Sequence, residues 1–135
     1  MVKGASYSQN AHSEGYFTIA SGTASHAEGC YTIASGMASH AGGCFSMANE
    51  TGSVAFGIGT IANQSAMTAI GKYNNLGANN DLFSVGYGSK ENNGIINRNT
   101  VFNIKGKGNP GSSGKCTVDL NGDISINGNI NLNGA

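Results

Sequence analysis

The sequence predicts an all-β chain built mainly as a β-solenoid, and three observations point there. Glycine recurs at Gly15, Gly29, Gly43, Gly57 and Gly71, fourteen residues apart each time, and a fixed period of this kind marks a coiling repeat. Around that glycine, small side chains alternate with larger ones, the period-two signature of strands. Glycine also makes up 22 of 135 residues beside a single proline, an excess that belongs to turns and not to a collagen triplet. Fourteen residues are too few for a helical hairpin and too many for one strand. They suit one coil of two strands of about five residues each with two tight corners. Equivalent residues then stack about 4.8 Å apart along the axis.

Taken in order, residues 1–10 read as an incomplete first coil or, in part, vector-derived sequence. Residues 11–71 hold about four and a half copies of the unit, so the roll spans residues 1–71. The columns Ala11/Ser25/Ser39/Ser53, Ser13/Ala27/Ala41/Ala55, Thr18/Thr32/Ser46/Thr60 and Ala20/Ala34/Ala48/Ala62 are all small. They are expected to fill the narrow interior. The columns between them point outward: His12/His26/His40/Val54, Glu14/Glu28/Gly42/Phe56, Phe17/Tyr31/Phe45 and Ile19/Ile33/Met47/Ile61. The bulky apolar residues thus fall on the outside, as a stripe larger than soluble monomers tolerate. An interior of Ala, Ser and Thr buries little per residue. The chain therefore calls for identical partners, and a parallel homotrimer is the expected arrangement. Its interface is assigned to Phe17, Ile19, Tyr31, Ile33, Phe45, Met47, Val54, Phe56 and Ile61.

Residues 72–81 break the period with asparagines, which tolerate the positive φ that corners need, and read as the exit from the roll. Residues 72–105 form a connector module, in which 82–85 and 100–104 are strand-like around a polar connection. Arg98, the single arginine, is expected in an inter-chain contact. Residues 106–114 are a Gly- and Ser-rich linker. Over 115–135, Val118, Leu120, Ile124, Ile126, Ile130 and Leu132 occupy even positions, and Asn-Gly pairs recur at 121, 127 and 133. A two-residue hairpin at the first pair would mix apolar and polar residues on each face. A three-residue loop or a straight run along a three-chain β-prism keeps the apolar residues inward. The prism is preferred, and those six residues join the expected interface.

The units 24–29 (Ala-Ser-His-Ala-Glu-Gly), 38–43 (Ala-Ser-His-Ala-Gly-Gly) and 52–57 (Gly-Ser-Val-Ala-Phe-Gly) resemble the head repeats of YadA-like trimeric autotransporter adhesins. Similar repeats occur in phage tail fibre and tail-associated proteins. The resemblance covers about half the chain. It implies a left-handed parallel β-roll, three side by side, followed by a β-hairpin that closes the roll and hands the chains to a stalk. His and Glu replace the usual apolar pair in the first copies, and the Ser-His-Ala-Glu-Gly version looks more like phage and prophage proteins of Gram-positive bacteria. The implied function is a trimeric structural and receptor-binding module of a phage or prophage tail fibre or tail tip. It would attach to a bacterial surface receptor such as a carbohydrate, beside other tail proteins, with residues 72–81 and 86–99 as contact loops. Its place would be the virion or the cell surface. The alternatives are the head of a bacterial trimeric adhesin, or a virion fragment whose C-terminal chaperone domain cleaves itself off.

Composition bounds the rest. Seven acidic residues balance seven basic ones, which leaves no basic footprint for nucleic acid and no polybasic segment for membranes. No apolar run reaches transmembrane length. Residues 1–6 lack the apolar stretch of a secretory signal, which favours a cytosolically assembled phage part or an excised fragment. Cys30 and Cys44 stand one repeat apart and are expected as small thiols, because parallel side chains strain a disulfide.

The most chemical column is His12, Glu14, His26, Glu28 and His40. Three chains would set His12, His26 and His40 in rings able to hold a metal or anion. The favoured reading is a polar column of His–Glu contacts between chains. No catalytic triad is expected, since every histidine belongs to the repeat, so the chain is read as a non-enzyme without cofactors. Residues 57–62 match a dinucleotide fingerprint in letters only, without the strand–helix context.

Overall fold

The computed structural model describes residues 4–78, 80–106 and 116–131. Among these the chain is all-β, without a helix, and forms a β-solenoid of about six turns with parallel sheets. Among the described residues no helix is long and apolar enough to cross a membrane.

Long and short strands alternate through the coils. The long ones are β2 (His12–Tyr16), β4 (His26–Cys30), β6 (His40–Cys44), β8 (Val54–Ile58) and β10 (Thr68–Lys72). The short ones are β1 (Ala5–Ser6), β3 (Ile19–Ala20), β5 (Ile33–Ala34), β7 (Met47–Ala48) and β9 (Ile61–Ala62). Each coil is thus five residues plus two, not two strands of about five. The short strands form one parallel sheet in the order β1-β3-β5-β7-β9, and the long ones form another. Register is direct: His12 faces His26, His26 faces His40, and Ile19 faces Ile33. β1 pairs with β3, so residues 5–6 supply a short strand of the first coil; residues 1–3 lie outside the described residues.

The interior is the one expected from the small columns. Ala20, Ala27, Ala34, Ala41, Ala48, Ala55, Ala62 and Ala69 are fully buried, with Thr18, Thr32, Ser46 and Thr60 between the sheets. A buried hydroxyl needs a partner, and these have one. Ser25 Oγ donates to the Gly22 carbonyl at 2.6 Å and Ser39 Oγ to that of Gly36 at 2.7 Å. Thr60 Oγ1 donates to Ser46 Oγ at 2.9 Å. Met67 fills the wider space at the last coil.

The anchor glycine is set by both conformation and contact. Gly29 has φ 97°, and a Cβ there would sit 2.1 Å from the Gly43 carbonyl oxygen of the next coil. Stacking at this separation leaves no room for a side chain, which is why the column is glycine throughout.

Corners differ from the expected alternation. Phe17, Tyr31 and Phe45 are not strand residues; each turns the corner in the left-handed conformation, at φ 52°, 53° and 59°. Gly59 and Tyr73 continue the same column in the next two coils, at φ 61° and 44°. The opposite corner uses Asn10, Ala24, Ala38, Gly52 and Ala66, again at positive φ.

Beyond the coils, β11 (Asp81–Tyr87) pairs parallel with β10 and antiparallel with β14 (Thr100–Lys105). The connector is therefore a hairpin that extends the long-strand sheet. Its connection carries a small ribbon, β12 (Ser89–Lys90) with β13 (Ile96–Asn97), which sequence patterning did not mark. The last strand, β15 (Thr117–Leu120), returns antiparallel onto β14, with Lys105 Nζ 2.9 Å from Asp119. Residues 117–120 thus stay on the sheet and do not run straight away from it. Residues 121–131 add no strand, and 116–131 are exposed. The linker lies outside the described residues from 107 to 115, as does Leu132.

Candidate functional site

Two side-chain ladders run along the outside of the coils, and both follow from the direct register. On the long-strand face, residues i and i+2 share a side, so His26 and Glu28 project together and His40 lies next to His26 in the neighbouring strand. The His26 and His40 imidazoles stack with centroids 4.4 Å apart, whereas His12 and His26, 4.9 Å apart, are tilted by 41°. Glu14 Oε1 lies 3.8 Å from His26 Nε2, and Glu28 Oε1 lies 3.5 Å from His40 Nε2. These pairings join neighbouring coils of one chain.

The ladder ends on apolar ground. Val54 follows His40 in register, and the Phe56 ring meets His40 edge-on at 4.7 Å. Gly42 stands where Glu14 and Glu28 stand in earlier coils, and the Phe56 ring leans over it, 2.3 Å from where a Cβ would be. Burial of the imidazole, with His26 as the second cause, holds His40 below the ordinary histidine range, against the raising effect of Glu28.

On the corner, Phe17, Tyr31 and Phe45 form a second ladder of parallel rings. Centroids are 5.1 and 5.0 Å apart, and planes lie within 9° and 7° of each other. Gly59 interrupts it, and the Tyr73 ring leans into the space that a Gly59 side chain would fill. The β12–β13 ribbon folds over this break, bringing Lys90 Nζ to 5.9 Å from the Phe45 centroid. A pocket of about 390 Å³ lies there, bounded by Tyr31, Phe45, Met47, Tyr73, Ile96 and Arg98. Arg98 does not reach outward. Its Nη1 donates to the carbonyls of Gly59 at 2.9 Å and Asn74 at 3.1 Å within its own chain.

The remaining outward residues are graded. Ile19, Ile33, Met47, Ile61, Val54 and Phe56 are half-buried. Tyr31, Phe45, Val118, Leu120, Ile124, Ile126 and Ile130 are exposed, Ile124 and Ile130 by 61% each.

Two features were missed by sequence reasoning. Cys30 and Cys44 form a disulfide between adjacent coils, not a pair of thiols. They are register partners with Cα atoms 4.7 Å apart, inside the range that a bridge spans, so the pairing itself was the signal. The second is the fully buried Asn74, which closes the short-strand sheet where the period breaks.

Comparison with protein-family models, with curated proteins and with solved structures returns no match for this chain.

Proposed function

We propose that the chain is a trimeric fibre module of a phage or prophage tail fibre or tail tip, a left-handed roll that presents rigid loops to a bacterial surface receptor. The observation that carries this reading is an inverted solenoid. The interior is Ala, Ser and Thr, while the ladder of Phe17, Tyr31 and Phe45 stands about half exposed, from 39% to 51%. An apolar stripe of this length supports association with identical copies, and Val118, Leu120, Ile124, Ile126 and Ile130 are exposed apolar side chains as well. Parallel in-register chains would set the stripes side by side, and the residues beyond β15, from 121 onward, would enter a three-chain β-prism. Three copies of one weak contact add up by avidity. The repeat letters at 24–29, 38–43 and 52–57 favour the same context.

Native mass by light scattering in solution tests the assembly, and the expected value is three chains. Tyr31→Ser combined with Phe45→Ser shifts that mass toward one chain. Sedimentation of the labelled protein with bacterial cells and with their extracted surface polysaccharides tests the attachment. A folded monomer that ignores both would overturn the reading.

A further inference from the structure

We propose that His26, Glu28 and His40 form a binding site for a borderline divalent transition ion of the Zn²⁺ type within one chain, independently of the assembly proposed above. Three structural observations converge there. The ligand atoms of these three side chains all lie within 4.8 Å of one another, and Glu28 Oε1 is already 3.5 Å from His40 Nε2. Tetrahedral Zn²⁺ with bonds near 2.1 Å sets its donors about 3.4 Å apart, so small rotations of Glu28 and the two rings bring the three donors into range. Second, His26 Nε2 and His40 Nε2 are both closed off from solvent, and among the described residues neither has a hydrogen-bond partner. Each such nitrogen left unpaired is destabilising, and a bound ion gives both a partner. Third, the ground is prepared on one side only: Phe56 closes the site beneath His40, and Gly42 brings no side chain of its own into it.

The donor set selects the ion. Two imidazoles and one carboxylate suit Zn²⁺, Ni²⁺ or Cu²⁺, whereas Ca²⁺ and Mg²⁺ prefer oxygen alone. The neighbouring set of His12, Glu14 and His26 has its ligand atoms equally close. His12 and Glu14 are exposed, however, so water competes there for every donor. His26 has one Nε2 to give, and the half-buried coil with the apolar floor is the better place to give it.

The test uses the full chain with its disulfide intact and Cys116→Ser as background, since the exposed Cys116 thiol is itself a ligand. After stripping with EDTA, Zn²⁺ is titrated by calorimetry and Co²⁺ by visible absorption. One ion per chain is expected, with the absorption of a nitrogen- and oxygen-bound Co²⁺. Losing an outer-shell partner of a metal ligand already weakens binding 10–100-fold, so His40→Gln, His26→Gln and Glu28→Gln should each weaken it at least about tenfold. His12→Gln should change it less than about twofold. Thermal unfolding in EDTA identifies any variant that fails to fold. For the unsubstituted chain, Zn²⁺ should move the Nε2 resonances of His26 and His40 and leave those of His12 in place. Absence of saturable binding, or a His12→Gln loss equal to that of His40→Gln, overturns the assignment.

Discussion

The carboxamide of Asn74 accepts from the Ile61 N–H at 2.8 Å and donates to the Ile61 carbonyl at 3.0 Å. One buried side chain thereby makes both contacts that a further short strand would have made. Each buried backbone group must be paired, and a solenoid that stops must meet that demand at its last coil. Asn63 repeats the device, exchanging two hydrogen bonds with the backbone of Gly77 at 2.7 and 3.1 Å. Asn74→Leu leaves both Ile61 groups unpaired. The expected loss is about 2–4 kcal/mol, read from the urea midpoint.

Positions at positive φ predict opposite signs for two kinds of substitution. Ala38 and Ala66 are exposed and sit at φ 53° and 58°, a conformation that penalises a Cβ by roughly 1–2 kcal/mol. Gly52 already fills that column. Ala38→Gly and Ala66→Gly should each stabilise by about 0.5–1 kcal/mol, after the greater chain entropy of glycine is subtracted. Gly29→Ala should destabilise by roughly 2–4 kcal/mol, because its Cβ meets backbone and its φ is unsuitable. Equilibrium denaturation of the three variants checks the signs together.

Thiol counting tests the clip between coils. With Cys30 and Cys44 bridged and Cys116 exposed, one thiol per chain should react under native oxidising conditions. Three should react after reduction and unfolding. A bridge closing a loop of this length stabilises by about 3 kcal/mol in the chain-entropy account. Replacing both Cys30 and Cys44 by Ser should lower stability by up to that amount while leaving the coil pairing intact.

Histidine sets a pH dependence for the metal-free protein. The groups facing His40 are His26 and Glu28, with the uncharged Phe56 behind it. Because burial holds folded His40 below its unfolded value of about 6.5, the unfolded chain binds a proton first as pH falls. The His40 contribution to stability is complete above about 6.5 and is lost as pH falls through the lower folded value. Nε2 chemical shifts of His40 should therefore titrate below the ordinary histidine range. A midpoint at or above that range contradicts the burial described.

How far the sequence revealed this molecule depends on what each position must satisfy. The small columns were legible because stacking places like beside like, so Ala27, Ala41, Ala55 and Ala69 must share one volume. The aromatic corner was not. Phe17, Tyr31 and Phe45 continue the alternation in letters, and only Gly59 hints that the column demands positive φ. Arg98 was misread for a different reason. Its partners are backbone carbonyls of Gly59 and Asn74, which leave no mark in the side-chain pattern. The His–Glu column was found, but the buried Nε2 atoms of His26 and His40 depend on ring rotation, which spacing does not encode.

Direct register gives the coils a further property. Each long strand of the coils meets the next in the same backbone register, so a repeat unit is the natural increment of the roll. Each addition lengthens the module by about 4.8 Å and leaves the closing hairpin unaltered. Copy number of the repeat then sets the length of the roll in fixed increments.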